Sequence, residues 1–103
     1  MIVTMIVVTS KFKAKPGKRD AVVTLAGPAI AATRKEKGCL RYELFLSSED
    51  DVTLQFIEEW TDPDVLRAHL KSSHLAEFKA ARKDIVEEGS ILKIFEGKET
   101  SLN

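Results

Sequence analysis

The residues best suited to chemistry fall between Leu54 and His74, in LQFIEEWTDPDVLRAHLKSSH. This stretch holds the only tryptophan, Trp60, both histidines, His69 and His74, and the adjacent carboxylates Glu58 and Glu59. An imidazole titrates near neutral pH and serves as a general base. His69 follows Val65 by four residues and Leu66 by three, which places it on or beside the apolar stripe of a helix. The alternative is a histidine at the core edge, satisfied by a backbone carbonyl or by Glu58. Glu58 shares a strand face with Phe56 and Trp60. A carboxylate on an apolar face needs a partner. Such a partner is His69, a substrate hydroxyl, or an arginine among Arg34, Arg41 and Arg67.

Trp60 and Tyr42 read as core residues first and as walls for a flat ligand second. His74 opens a helix, where the dipole disfavours its charged form. It is a packing residue or a second ligand contact. The five-residue gap between the histidines is not a helical metal spacing, and no metal site is expected from it. Arg41 and Arg82 read as solvated surface, with attraction of an anionic substrate as the other reading.

These residues need a scaffold, and 103 residues supply one domain with 44% hydrophobic content. A domain over 1–97 with a polar tail at 98–103 is expected. Sixteen basic residues balance sixteen acidic ones. That argues against nucleic acid, which calls for a basic stripe. The single cysteine, Cys39, rules out an internal disulfide and a cysteine-based zinc site. The opening MIVTMIVV is too short to span a bilayer, so the expectation is a cytoplasmic protein without membrane contact.

Periodicity predicts a strand over 2–14, with Ile6, Val8 and Phe12 on one face and Val3, Met5 and Val7 on the other. A helix follows from Pro16 or Gly17 to Lys37, kinked or split at Gly27-Pro28. Its stripe is Val22, Leu25, Ala26, Ala29, Ile30 and Thr33, and Gly38 is placed to end it. Strands over 39–47 and 52–60 form a hairpin. Leu40, Tyr42, Leu44 and Leu46 are expected on one face of the first of these. Asp62-Pro63 caps a short helix to about Leu70, and Ser72 or Ser73 caps another that Gly89 ends. The last strand, 90–96, is apolar on both faces.

The order βαββααβ is that of the ferredoxin-like α+β fold, a four-stranded antiparallel sheet with helices on one face. Apolar residues on the other face call for a cover, and a second copy of the sheet is the simplest one. A homodimer through the sheet faces is therefore expected.

Four features in this order, "KPG" at 15–17, "KGCLRY" at 37–42, "EEW" at 58–60 and "AHLKSSH" at 68–74, resemble the antibiotic biosynthesis monooxygenase family of dimeric α+β barrels. Within it, the chain is similar to the small quinol monooxygenases. The resemblance implies a ligand cavity in each half of the barrel. It also implies oxygenation of a phenolic or quinol substrate by dioxygen, with no metal, flavin or haem as cofactor. Haem-degrading relatives use an asparagine on the first strand, with a tryptophan and a histidine on the second helical region. This chain has Ser10, His69 and Lys79 at about those places, which argues against haem degradation. The expected catalytic residues are His69 and Glu58, with Trp60, Tyr42 and His74 binding substrate. An acid–base isomerase or lyase, or a non-catalytic binding dimer, are the alternatives.

Overall fold

In the computed structural model, which describes residues 4–102, the chain runs β1 (Met5–Lys13), α1 (Arg19–Arg34), β2 (Cys39–Leu46), β3 (Thr53–Trp60), α2 (Pro63–Leu70), α3 (Ser73–Arg82) and β4 (Ile91–Gly97). The sheet order is β2-β3-β1-β4 and every pairing is antiparallel. This is the expected ferredoxin-like α+β arrangement. Ile2 and Val3 lie outside the described residues.

Directly paired residues share a face of the sheet. Ile6, Val8 and Phe12 of β1 stand opposite Trp60, Glu58 and Leu54 of β3. All six are buried beneath the helices, with Val22, Ala26 and Ala29 of α1, Leu66 of α2 and Phe78 of α3. The other face carries Val7, Thr9 and Lys11 opposite Glu59, Ile57 and Gln55, and no element covers it among the described residues.

The structure departs from expectation at four places. Helix α1 runs unbroken through Pro28, because Pro28 and the Thr24 turn face solvent and water can meet the freed carbonyl. It ends at Arg34, three residues early, and Leu25 of the expected stripe is exposed. A bulge in β2 between Cys39 and Arg41 inserts one residue, so Cys39 pairs with Trp60 on the core side and Leu40 turns outward. Helix α3 stops at Arg82 rather than near Gly89, leaving Ile85 packed on the core from a loop.

Two short connections set the site. Asp62 caps α2 by accepting from the Val65 amide, and Ser72 caps α3 by accepting from the Leu75 amide. Each such cap stabilises a helix by about 1 kcal/mol. The α1–β2 turn, residues 35–38, lies against the β3–α2 turn, with the Thr61 amide donating to the Gly38 carbonyl at 3.0 Å. Gly38 has φ +81°, and a Cβ there would sit 2.6 Å from Thr61 Oγ1 and 2.7 Å from Val65 Cγ2. Gly17 also has positive φ, at +75°, but open space surrounds it. Gly17→Ala therefore carries backbone strain alone, on the order of 1 kcal/mol. Gly38→Ala carries the strain and the clash. In urea denaturation Gly38→Ala is expected to lose about 1–3 kcal/mol more than Gly17→Ala. Equal losses would show that the close approach at Gly38 imposes no constraint.

Candidate active site

The close approach at Gly38 brings Glu36 against the joint between α2 and α3. Glu36 sits in the α1–β2 turn, its amide donating to the Thr33 carbonyl and its carbonyl accepting from the Cys39 amide. Arg34 Nε ties the end of α1 to the Tyr42 carbonyl of β2 at 3.0 Å. On the facing side, the Ser72 hydroxyl donates to the His69 carbonyl at 2.7 Å, fixing the corner between the helices. Glu36 Oε2 is then 2.6 Å from His69 Nδ1 and 2.9 Å from His74 Nε2. One carboxylate oxygen serves two imidazoles.

His69 is nearly fully buried, at 2% exposure. Its ring tilts against the Trp60 indole at 4.8 Å and meets the edge of Tyr42 at 5.3 Å between centroids. Burial lowers its pKa, and the nearby His74 and Lys79 act the same way. Glu36 opposes them and is outweighed by burial. The ring is therefore neutral at neutral pH. With Nδ1–H donated to Glu36, Nε2 carries the free lone pair.

Glu58 is buried on β3 and accepts from Trp60 Nε1 at 3.0 Å. Burial pushes its pKa up to about 7, only partly offset by the indole donor. Tyr42 is buried beside it, and burial together with the Glu58 charge holds its phenol far above the ordinary range. The Cys39 thiol is also pushed up by burial and the charge of Glu36.

A cavity of about 90 Å³ is lined by Ser10, Tyr42, Phe56, Glu58, His69 and Arg82, with Leu70, Lys79 and Leu92 among the residues at its sides. Ligand pockets commonly enclose roughly 300–1,000 Å³. This one suits a single aromatic ring. Leu70 and Leu92, both half-exposed, extend it as an apolar shelf. A larger depression of about 440 Å³ around Lys11, Phe45 and Asp50 holds no comparable acid–base pair. There the Asp50 carboxylate is committed to the Val52 and Thr53 amides.

Tyr42, Glu58 and His69, three of the five residues singled out in the sequence, thus meet at one cavity. Trp60 does not line it: the indole is fully buried behind His69 and holds Glu58. His74 is also off the lining, and its ring nitrogen goes to Glu36. The partner of His69 is Glu36 rather than Glu58. Arg34, Arg41 and Arg67 have other partners, respectively the Tyr42 carbonyl, Glu43 with Glu59, and Asp64. Glu36 went unrecognised because its signal is only a carboxylate two residues before a turn glycine.

Glu36, His69 and His74 place three potential ligand atoms within 4.8 Å of one another, a set the sequence spacing did not foresee. Two ligands of one tetrahedral zinc ion, bound at ~2.1 Å, sit about 3.4 Å apart. The 2.6 and 2.9 Å separations are those of hydrogen bonds.

The antibiotic biosynthesis monooxygenase family profile matches residues 5–81. The chain belongs to that family. It is 28% identical over 95 residues to the uncharacterised protein sll1783 of Synechocystis sp., covering 92% of this chain and 65% of that protein's length. It is 29% identical over 82 residues to YcnE of Bacillus subtilis, provisionally assigned as a monooxygenase, covering 80% of this chain and 86% of YcnE. A crystal structure of an antibiotic biosynthesis monooxygenase superposes with a TM-score of 0.80 at 27% identity, over 87% of this chain and 95% of the other.

The raised pKa of Glu58 makes a stability prediction. The folded state holds this proton from the unfolded value of 4.5 up to about 7. Between those values the native state binds more protons than the unfolded chain, so Glu58 makes stability fall as pH rises, levelling off above pH 7. Glu58→Gln removes that dependence. Relative to the wild type, the variant should gain on the order of 3 kcal/mol between pH 4 and pH 8 in denaturant titrations. A constant difference would show that Glu58 ionises normally.

Proposed function

We propose that the protein is a cofactor-independent monooxygenase that oxygenates a small phenol or quinol with dioxygen. The observation that carries this reading is the His69 ring, oriented by Glu36 and presented to a cavity that it shares with Glu58 and Tyr42. A quinol ring lies against Phe56 and Tyr42, and His69 Nε2 takes a phenolic proton. The imidazolium that forms is stabilised by Glu36. The electron-rich anion gives one electron to dioxygen, and the semiquinone and superoxide recombine at the carbon beside the deprotonated oxygen. His69 returns its proton to the peroxide. The imidazole then removes the C–H proton of that carbon as the O–O bond breaks, and the Glu58 carboxylic acid protonates the departing hydroxide. One oxygen atom stays on the ring and the other leaves as water. The quinol becomes a hydroxyquinone and no external reductant is consumed. Exclusion of water by Phe56, Leu75 and Phe78 protects the radical pair.

An acid–base isomerase would use the same His69 and Glu58, and a binding module would use neither. Oxygen electrode measurements with a panel of one- and two-ring quinols separate the three. Uptake of one dioxygen per quinol is expected, with His69→Ala lowering the rate by about 10²–10⁴-fold. No uptake with any quinol, or an unimpaired His69→Ala, would overturn the assignment.

The assembly we propose is a homodimer through the open sheet face. That face carries Val7 and Phe95 as neighbours, Lys11 with Ile91, and Phe45 and Ile57 on the adjoining strands. Ile91, Leu92, Ile94 and Phe95 of β4 are each exposed by 50–54%. A surface strand this apolar on both sides calls for a partner. Sedimentation should give twice the chain mass, and Phe95→Asp should shift the equilibrium to monomer. A monomeric wild type at micromolar concentration would contradict this.

A further inference from the structure

Arg82 lies at the C-terminal end of α3, and its guanidinium packs against two rings. Its Cζ is 4.5 Å from the Phe12 centroid and 4.8 Å from the Phe78 centroid. Phe12 lies at 17° and Phe78 at 86° to the plane of Phe56, so the two rings cover the cation from two directions rather than as a parallel stack. Among the described residues no carboxylate pairs with it: Arg41 and Arg67 take the arginine ion pairs and Glu36 takes the histidines. A half-buried guanidinium without an anion is costly to maintain. Burial indeed works against its charge. Arg82 nevertheless lines the cavity of His69 and Glu58, with Lys79 beside it on the same helix. The residue expected at the solvated surface is thus part of the site.

Position along the sheet orders the two ends of the site. Phe12 stands opposite Leu54, and Trp60, behind His69, lies farther along β3. Between them Phe78, Phe56 and Tyr42 form a run of ring contacts at 6.0 and 5.0 Å, ending on His69 at 5.3 Å. The cavity thus has an aromatic wall with a base at one end and an unpaired cation at the other.

We propose that Arg82, assisted by Lys79, anchors a carboxylate of the ligand, so that the site takes hydroxylated aromatic acids in preference to uncharged quinols. This refines the proposed function by naming the substrate class, and it rests on the same cavity. A guanidinium edge pairs with a carboxylate in two parallel hydrogen bonds. Anchoring there directs a ring hydroxyl toward His69. The acid also supplies the negative charge that the buried guanidinium lacks.

The test is equilibrium binding, which does not require turnover and so survives failure of the oxygenase reading. Affinities of the full-length protein for 2,5-dihydroxybenzoate and for hydroquinone are measured by calorimetry under nitrogen. The wild type should prefer the acid by at least about tenfold, a preference that shrinks with added salt. Arg82→Met keeps an unbranched side chain against the two rings and should abolish the preference. Arg82→Lys should retain part of it, and Lys79→Gln should weaken it. Equal affinities in the wild type, no binding of the acid, or a preference that persists in a folded Arg82→Met would each overturn the proposal. Should Arg82→Met fail to fold, Arg82→Lys and Lys79→Gln decide the matter, and full preference in both would equally overturn it.

Discussion

The site depends on one oxygen atom. Glu36 Oε2 holds His69 Nδ1 and His74 Nε2 together, and in doing so joins three separate parts of the chain. Glu36 belongs to the turn after α1, His69 to the end of α2, and His74 to the first turn of α3. Neither histidine would be fixed by its own helix alone. In the proposed reaction the bond also sets the chemistry. A carboxylate on Nδ1 selects the tautomer with a free Nε2 lone pair, and it stands ready to stabilise the positive ring once a proton is taken. His74 then reads as a support for Glu36, holding the carboxylate from the more exposed side.

The same burial acts in opposite directions on His69 and Glu58 at the cavity. It lowers the pKa of His69 and raises that of Glu58 to about 7. A neutral imidazole and a carboxyl that is about half protonated can therefore coexist at neutral pH. Environments that push two groups apart in this way divide acid and base roles between them. Trp60 takes part without touching the cavity. Its ring backs His69 and its N–H restrains Glu58, so one buried indole orients both groups.

Much of the fold was legible because its signals are local. Alternation marks β1 and β3, Asp62-Pro63 marks the start of α2, and element order yields the topology. The bulge at Leu40 was not legible, since an inserted residue leaves the local pattern apolar. The unbroken passage of α1 through Pro28 depends on which side of the helix faces water. In the site, Tyr42, Glu58 and His69 were recognisable as polar groups on apolar faces. Glu36 was not: it lies 33 residues before His69 among lysines, and only the Gly38 approach brings it inward. Arg82 was hidden for a related reason, because its ring partner Phe12 comes from the far end of the chain.

The protonation state of the His69 ring is the most direct test of this arrangement. Long-range ¹H–¹⁵N correlation spectra of the histidine side chains report which nitrogen carries the proton. At pH 7 the expected state is a neutral His69 with Nδ1 protonated and Nε2 bare, and a titration midpoint below the ordinary histidine value of 6.5. Loss of the Nδ1 proton signal in Glu36→Gln, with the overall spectrum preserved, would tie that tautomer to the carboxylate. A ring charged at pH 7, or protonated on Nε2 with Nδ1 bare, would contradict it.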